Sequence, residues 1–244
     1  MSKKNWMMSS EDSPKKLLID ADYLIYGVGF ASEEESEKFA KSRLVETLED
    51  MVYINLKADS YEAFLTGKNN YRYEIAKTVP YKGNRKDAKK PKHYDALREC
   101  MITRLGAVVV DGQEADDEVA IRMTKEPDQY LLVGVDKDLR QIPGWHHNPM
   151  KAKTEYIDED QAYKNFCLQL LTGDRVDNIP GLEGIGPVKA EKALKNAKTQ
   201  EELLQAVWKV YKEKEHGIEY LTEQGQLLWL RRYEGELWQP SNVS

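Results

Sequence analysis

Cysteine is scarce in this 244-residue sequence, with Cys100 and Cys167 the only two. They lie far apart and show no CxxC or Cys/His ligand spacing, so neither a disulfide framework nor a zinc site is indicated. Both are expected to be reduced core residues. Long apolar runs are missing too: none approaches the roughly 20 residues of a membrane helix, and Met1 to Pro14 is polar, not signal-like. The expectation is a soluble, cytoplasmic protein. Positive charge is also in deficit, because 36 Lys and Arg face 42 Asp and Glu, for a formal net charge of -6. That balance ordinarily argues against nucleic acid, but net charge hides distribution, and here acids and bases are segregated. With 41% apolar residues, the chain can build one large or two small cores.

What is present is a series of acids placed directly after apolar runs. Leu17-Leu-Ile19 leads to Asp20, with Asp22 two residues on; Ala107-Val-Val-Val110 precedes Glu114-Ala-Asp-Asp-Glu118; Gln129 to Val135 ends in Asp136-Lys-Asp138. Short apolar runs separated by helical patterns predict a parallel sheet, whose carboxyl edge is where open α/β folds assemble their sites. Neighbouring strand ends converge, so Asp20, Glu114, Asp116, Asp117, Asp136 and Asp138 are expected to line one cleft. Acids so crowded repel one another and persist when cations neutralise them. An acid-rich first helical turn is the plain alternative for Glu114 to Glu118, and an N-cap for Asp22. Recurrence after several strands favours the metal reading.

Between these runs, Ser36 to Asp59 has helical periodicity and is assigned to packing. Tyr61 to Thr66 is expected to be a second strand ending at Gly67. Arg72, Tyr81, Lys82, Arg85, Lys86, Lys89, Lys90 and Lys92 then concentrate base and ring in one segment, a pattern that suits phosphate contact with stacking. Pro91 interrupts it, and Tyr94 to Leu105 resumes as a helix. His146 and His147 sit among turn residues and are expected to be exposed. From Ile157 the pattern becomes helical. Asp174 and Asp177 follow a helix, and Gly184-Ile185-Gly186-Pro187 opens another with free N–H groups that suit phosphate, with Lys189 behind it.

In this order, Leu-Ile-Asp20, Tyr81-Lys-Gly-Asn-Arg85, Glu114-Ala-Asp-Asp117, Asp136-Lys-Asp138, Gly173-Asp-x-x-Asp-Asn178 and Gly184-Ile-Gly186 resemble the structure-specific 5′ nucleases, the flap endonuclease family. Within it, they look most like the bacteriophage 5′→3′ exonucleases. The resemblance covers roughly Leu17 to Ala190, and Gln224-Gly-Gln226 through Trp238-Gln-Pro240 extends it. It implies a resolvase-like (PIN-like) α/β core, mostly parallel and flanked by helices, over residues 1–156, including an arch-like basic segment at 72–93. A helical helix-three-turn-helix DNA-binding region over 157–244 follows. By position, Asp20, Glu114, Asp116 and Asp117 would serve one divalent ion, and Asp136, Asp138, Asp174 and Asp177 a second. Oxygen-only ligation suits Mg2+ or Mn2+. Lys82 and Arg85 match positions that hold the scissile phosphate, with Asp116 counted among the catalytic residues, and Tyr81 matches one that stacks on substrate. Arg72, Lys86, Lys89, Lys90, Gly184, Ile185, Gly186 and Lys189 would contact DNA, with K+ at the glycine turn.

The implied substrate is DNA with a 5′ end, at a duplex end, nick or flap, or an RNA primer in a hybrid, and the enzyme would act as a monomer in phage DNA replication or degradation. One departure stands out: family members carry an acid at the end of the second strand, where this chain has Thr66-Gly67. Asp22 is the candidate substitute. Two rival readings remain open at this stage: a non-catalytic DNA-binding relative, and a haloacid-dehalogenase-type phosphatase that Asp20-x-Asp22 imitates.

Overall fold

The computed structural model describes residues 16–85 and 88–241. The expected strands form as β1 (Lys16–Asp20), β2 (Ser60–Thr66), β3 (Val108–Val110) and β4 (Tyr130–Val133), joined by β5 (Gly144–Asn148) and β6 (Lys153–Ile157). They make one sheet in the order β3-β2-β1-β4-β5-β6. All neighbours are parallel except β6, which pairs antiparallel with β5. β1 lies inside the sheet, which is why Leu17, Leu18 and Ile19 are an unbroken apolar run: both of its faces are covered.

The helices of this part are α1 (Asp22–Ala31), α2 (Glu37–Glu49), the single turn α3 (Arg72–Ile75), α4 (Tyr94–Thr103) and α5 (Ala115–Lys125). Strand alternation sends Leu17 and Ile19 to one face, where Leu24, Leu44, Leu48 and Leu97 of α1, α2 and α4 pack on them. Leu18, Phe64 and Leu132 face the other way, against Val119, Ala120 and Met123 of α5. After β6 come α6 (Glu159–Thr172), α7 (Pro187–Leu194), α8 (Gln200–Glu213) and α9 (Ile218–Leu228). They enclose their own core around Phe166, Leu170, Val207, Tyr211 and Trp238. No helix among the described residues is long and apolar enough to cross a membrane.

Two expectations change. The helix expected over Ser36 to Asp59 ends at Glu49 and widens into a π-helical turn over Asp50–Asn55, which turns Met51 and Val52 into the core. His146 and His147 lie on β5 and not in a loop. His146 is buried with Nε2 2.7 Å from the Ile142 carbonyl, and His147 is half-buried with Nδ1 2.8 Å from Thr154 Oγ1. Gly144, Trp145 and Asn148, expected as turn residues, are part of β5 itself and pair with β6; the turn begins only at Pro149.

Candidate active site

The strand order reverses between β1 and β4, and the crevice at such a point lies beyond the carboxyl ends of the strands. Asp20 ends β1, and Asp136 and Asp138 follow β4. Glu114, Asp116 and Asp117 belong to the N-terminal end of α5, where Asp117 reaches back to accept the Glu114 N–H at 3.2 Å. Asp174 and Asp177 come from the loop after α6. Gly173 makes that loop possible. It has φ +67°, and a Cβ there would stand 2.2 Å from the Ile179 carbonyl oxygen. Asp174 and Ile179 then exchange backbone hydrogen bonds of 2.8 and 2.7 Å.

The carboxylates divide by their partners. Lys82 Nζ pairs with Glu114, Arg85 Nη2 with Asp177 at 2.6 Å, Arg72 with Asp117, and Lys137 Nζ with Asp174 at 2.8 Å. Burial alone would raise Asp174, but Lys137 holds it below the usual carboxylate range. Among the described residues, neither Asp20 nor Asp116 forms an ion pair. Burial, then Asp22 and Asp136, push Asp20 up to about 8. Burial, then Glu114 and Asp117, push Asp116 well above its ordinary value, and its Oδ1 is buried without a hydrogen-bond partner. Asp138 is likewise pushed up to about 8, by burial and then by Asp136 and Asp174. No three acidic, His or Cys side chains among the described residues stand as a finished ligand set. The donors nevertheless fit a hard cation, since an orphaned carboxylate oxygen amid like charges has no other cheap counterpart.

Several expected contacts are redistributed. Arg72 is not a DNA contact: it is 1% exposed, and its guanidinium is taken up by Asp117 and by backbone carbonyls. Nor does Tyr81 present its ring to substrate. It is 3% exposed in the helical core, with its hydroxyl 2.9 Å from both Glu114 Oε2 and Asp177 Oδ2. Tyr73, 59% exposed and packed edge-on to Tyr81, is the ring that faces solvent there. Lys82, with φ +52°, bends its ammonium back onto Glu114. Lys89 and Lys90 remain exposed, the first paired with Glu33 at 3.1 Å and the second over the Tyr94 ring at 4.2 Å. Lys86 lies outside the described residues.

At the second strand, Thr66 makes structural bonds. Its Oγ1 accepts the Ala115 N–H at 3.1 Å, its carbonyl accepts Arg98, and its own N–H donates to Asp22 Oδ2 at 3.0 Å. Asp22, also 3.7 Å from Arg98, is a clamp between α1 and β2. Asp111, which the sequence reading missed, accepts the Lys68 N–H at 2.7 Å and stands 2.2 Å from where a Gly67 Cβ would be. Its signal was available: it follows Val108–Val110 as Asp20 follows Leu17–Ile19. At the helical end, Gly184 has φ +74° and Gly186 faces open space, with no side chain capping α7. Ile185 is partly buried against the helical core, and the Lys189 ammonium donates to the Gly184 carbonyl at 2.8 Å.

No family model matches the chain. Its sequence is similar to a 5′-3′ exonuclease of Mycoplasmopsis pulmonis, 27% identical over 82% of this chain and 72% of the relative. It is also similar to DNA polymerase I of Bacillus caldotenax, 29% identical over 62% of this chain, but spans only 19% of that protein. The fold is that of the bacteriophage T5 5′-exonuclease. A zinc-bound structure of that protein superimposes with a TM-score of 0.67 at 17% identity, covering 87% of this chain and 89% of the other. A structure of the T5 flap endonuclease in a complex with DNA and metal ions gives 0.64 at 18%, covering 87% and 88%. Along most of its length the chain is thus similar in sequence to a 5′-3′ exonuclease, and it shares the fold of the T5 5′-exonuclease.

Proposed function

We propose that this chain is a divalent-metal-dependent 5′→3′ exonuclease, hydrolysing phosphodiester bonds of DNA from a 5′ duplex end or nick, with flap cleavage as a second activity. The observation that carries this reading is the placing of Asp20, Asp116, Asp136 and Asp138, none of them in an ion pair among the described residues, beside Lys82 and Arg85 at the strand crossover. Residues 1–156 carry most of the chemistry, and 157–244 supply the grip on duplex together with Asp174 and Asp177. Asp20 and Asp116 lead the first site and Asp136 and Asp138 the second, and their oxygen donors would hold Mg2+ or Mn2+. Glu114, Asp117, Asp174 and Asp177 act from behind protein cations, directly or through water. When bound, the ions supply Lewis-acid charge and an activated water.

The chain's own residues do the rest. Lys82 and Arg85 already lie over the carboxylates, and transferring their donors to the scissile phosphate places positive charge where negative charge grows. Tyr81 links Glu114 and Asp177, keeping the two halves of the cleft in register. The N–H groups of the α7 first turn and the Gly184–Gly186 backbone hold a duplex phosphate. A K+ ion at that turn would have to displace the Lys189 ammonium from Gly184.

The phosphatase alternative needs Asp22 free to work beside Asp20, whereas Asp22 is held by Thr66 and Arg98. Between Tyr81 and Tyr94, the described residues include one 3-10 turn, Gly83–Arg85. Pro91 is buried against α1, where a Gly29 Cβ would stand 2.6 Å from its ring. These features favour an open arch that accepts duplex ends and does not thread long flaps. A duplex labelled at either end, incubated with and without Mg2+, tests polarity and metal dependence together. A 5′ flap blocked by a bulky adduct should still be cut, and strong inhibition with flaps preferred would overturn the open arch.

A further inference from the structure

Two buried side chains, Arg72 and Gln141, have no part in the chemistry above, and both join the site carboxylates to the end of α9. Arg72 Nη2 donates to Asp117 Oδ1 and to the Trp229 carbonyl, each at 2.9 Å; Nε donates to the Leu227 carbonyl at 2.9 Å, and Nη1 to Asp117 Oδ2. The Arg231 N–H adds a 3.1 Å bond to Asp117 Oδ1, and its guanidinium covers the Tyr71 ring at 3.6 Å. Gln141, 1% exposed, donates Nε2 to the Leu228 carbonyl at 2.9 Å and to Gln169 Oε1, while Gln169 Nε2 donates to Asp138 Oδ1. Successive carbonyls at 227, 228 and 229 thus feed two hydrogen-bonded chains, one ending on each group of carboxylates. The last turn of a helix has carbonyls to spare, and the planar fork of arginine matches carbonyl and carboxylate at once.

We propose that Arg72 and Gln141 are positioning residues through which the docked segment Leu227–Arg232 sets Asp117 and Asp138 for metal binding. Metal affinity and the order of that segment then rise and fall together, because coupling between two equilibria is reciprocal. This inference rests on the metal-site reading above. Lysine at 72 keeps the charge but loses the fork, so it breaks the chain at one link.

The test uses the full DNA-free chain with Mn2+ alone, free ion being counted by electron paramagnetic resonance, and hydrogen exchange at 227–232 with and without Mg2+. In the wild type, Mg2+ should slow exchange of the Trp229 and Arg231 amides. Arg72→Lys, folded by circular dichroism, should bind Mn2+ at least tenfold more weakly and lose that slowing. Gln141→Leu should shift both readings in the same direction. Should Arg72→Lys fail to fold, Gln141→Leu and the wild-type exchange decide. Folded variants with wild-type Mn2+ affinity, or segment amides indifferent to Mg2+ in a wild type that binds Mn2+, overturn the coupling alone. A wild type that binds no Mn2+ overturns the metal-site reading instead.

Discussion

Replacing Asp116 with Asn separates what the carboxylate does for chemistry from what it costs the fold. Its Oδ1 is buried without a hydrogen-bond partner, and Glu114, Asp117 and Asp20 add like charge around it. An unsatisfied buried polar group costs about 1–3 kcal/mol, and more when charged. Asp116→Asn keeps a polar atom in that place but removes the acid that burial, Glu114 and Asp117 penalise, and so should stabilise the metal-free protein by ~1–3 kcal/mol. At about 2–4 °C per kcal/mol for a chain of this size, melting in EDTA should rise by roughly 2–12 °C. Activity should move the other way. A catalytic cation contributes several kcal/mol of transition-state stabilisation, and at about 1.36 kcal/mol per tenfold the loss should reach about three orders of magnitude. Thermal melts in EDTA and in Mg2+, beside single-turnover cleavage of a 5′-labelled duplex, read both. If Asp116→Asn melts below wild type in EDTA, or cleaves within tenfold of it at saturating Mg2+, the reasoning fails.

Asp22→Asn should lower stability by about 1–3 kcal/mol, through the weakened bonds to Thr66 and Arg98, yet leave the Mg2+ midpoint of cleavage unchanged; a shifted midpoint would restore Asp22 as a ligand. Asp20 and Asp138, both pushed up to about 8 in the fold, keep protons that the unfolded chain releases near pH 4. Their burial therefore destabilises progressively as pH rises from about 4 to about 8, so metal-free melting should fall across that window and flatten in Asp20→Asn. Melts that rise across it would contradict the assignment. Gly186→Val meets no protein atom within 4 Å of its Cβ, so melting should hold while fluorescence anisotropy shows weaker duplex binding; equal loss on duplex and short single strands would point to misfolding.

The strands and most of the acids were legible because β1 and β4 are covered on both faces, and so read as unbroken apolar runs that stop at an acid. What stayed hidden depends on partners distant in sequence. Nothing local distinguishes Arg72 from the basic residues that follow it; only Leu227 and Trp229 at the other end of the chain make it a buried clamp. Tyr81 looked like a stacking ring because it sits beside Lys82, yet the helical core formed after residue 157 encloses it. Asp111 differs: it follows an apolar strand as Asp20 does, but as a lone acid three residues before the denser cluster at Glu114 it carries the weaker local signal. Thr66-Gly67 was seen as a departure from the family pattern, but the space left by Gly67 being filled from the neighbouring strand could not be seen without the sheet order.

The position of β1 between β2 and β4 also bears on how the chain leaves the ribosome. β1 precedes both of its partners along the described chain: β2 can cover one edge early, but the other edge pairs with Tyr130–Val133. At ~5–20 residues per second, that edge stays open for on the order of ten seconds after Ile19 emerges. Throughout that interval, an unpaired row of backbone donors and acceptors beside Leu17, Leu18 and Ile19 is a template for any other extended chain. The nascent protein should therefore depend on holding chaperones until β4 is out, and synonymous slow codons placed between β2 and β4 should lower the soluble yield more than the same codons placed after β6.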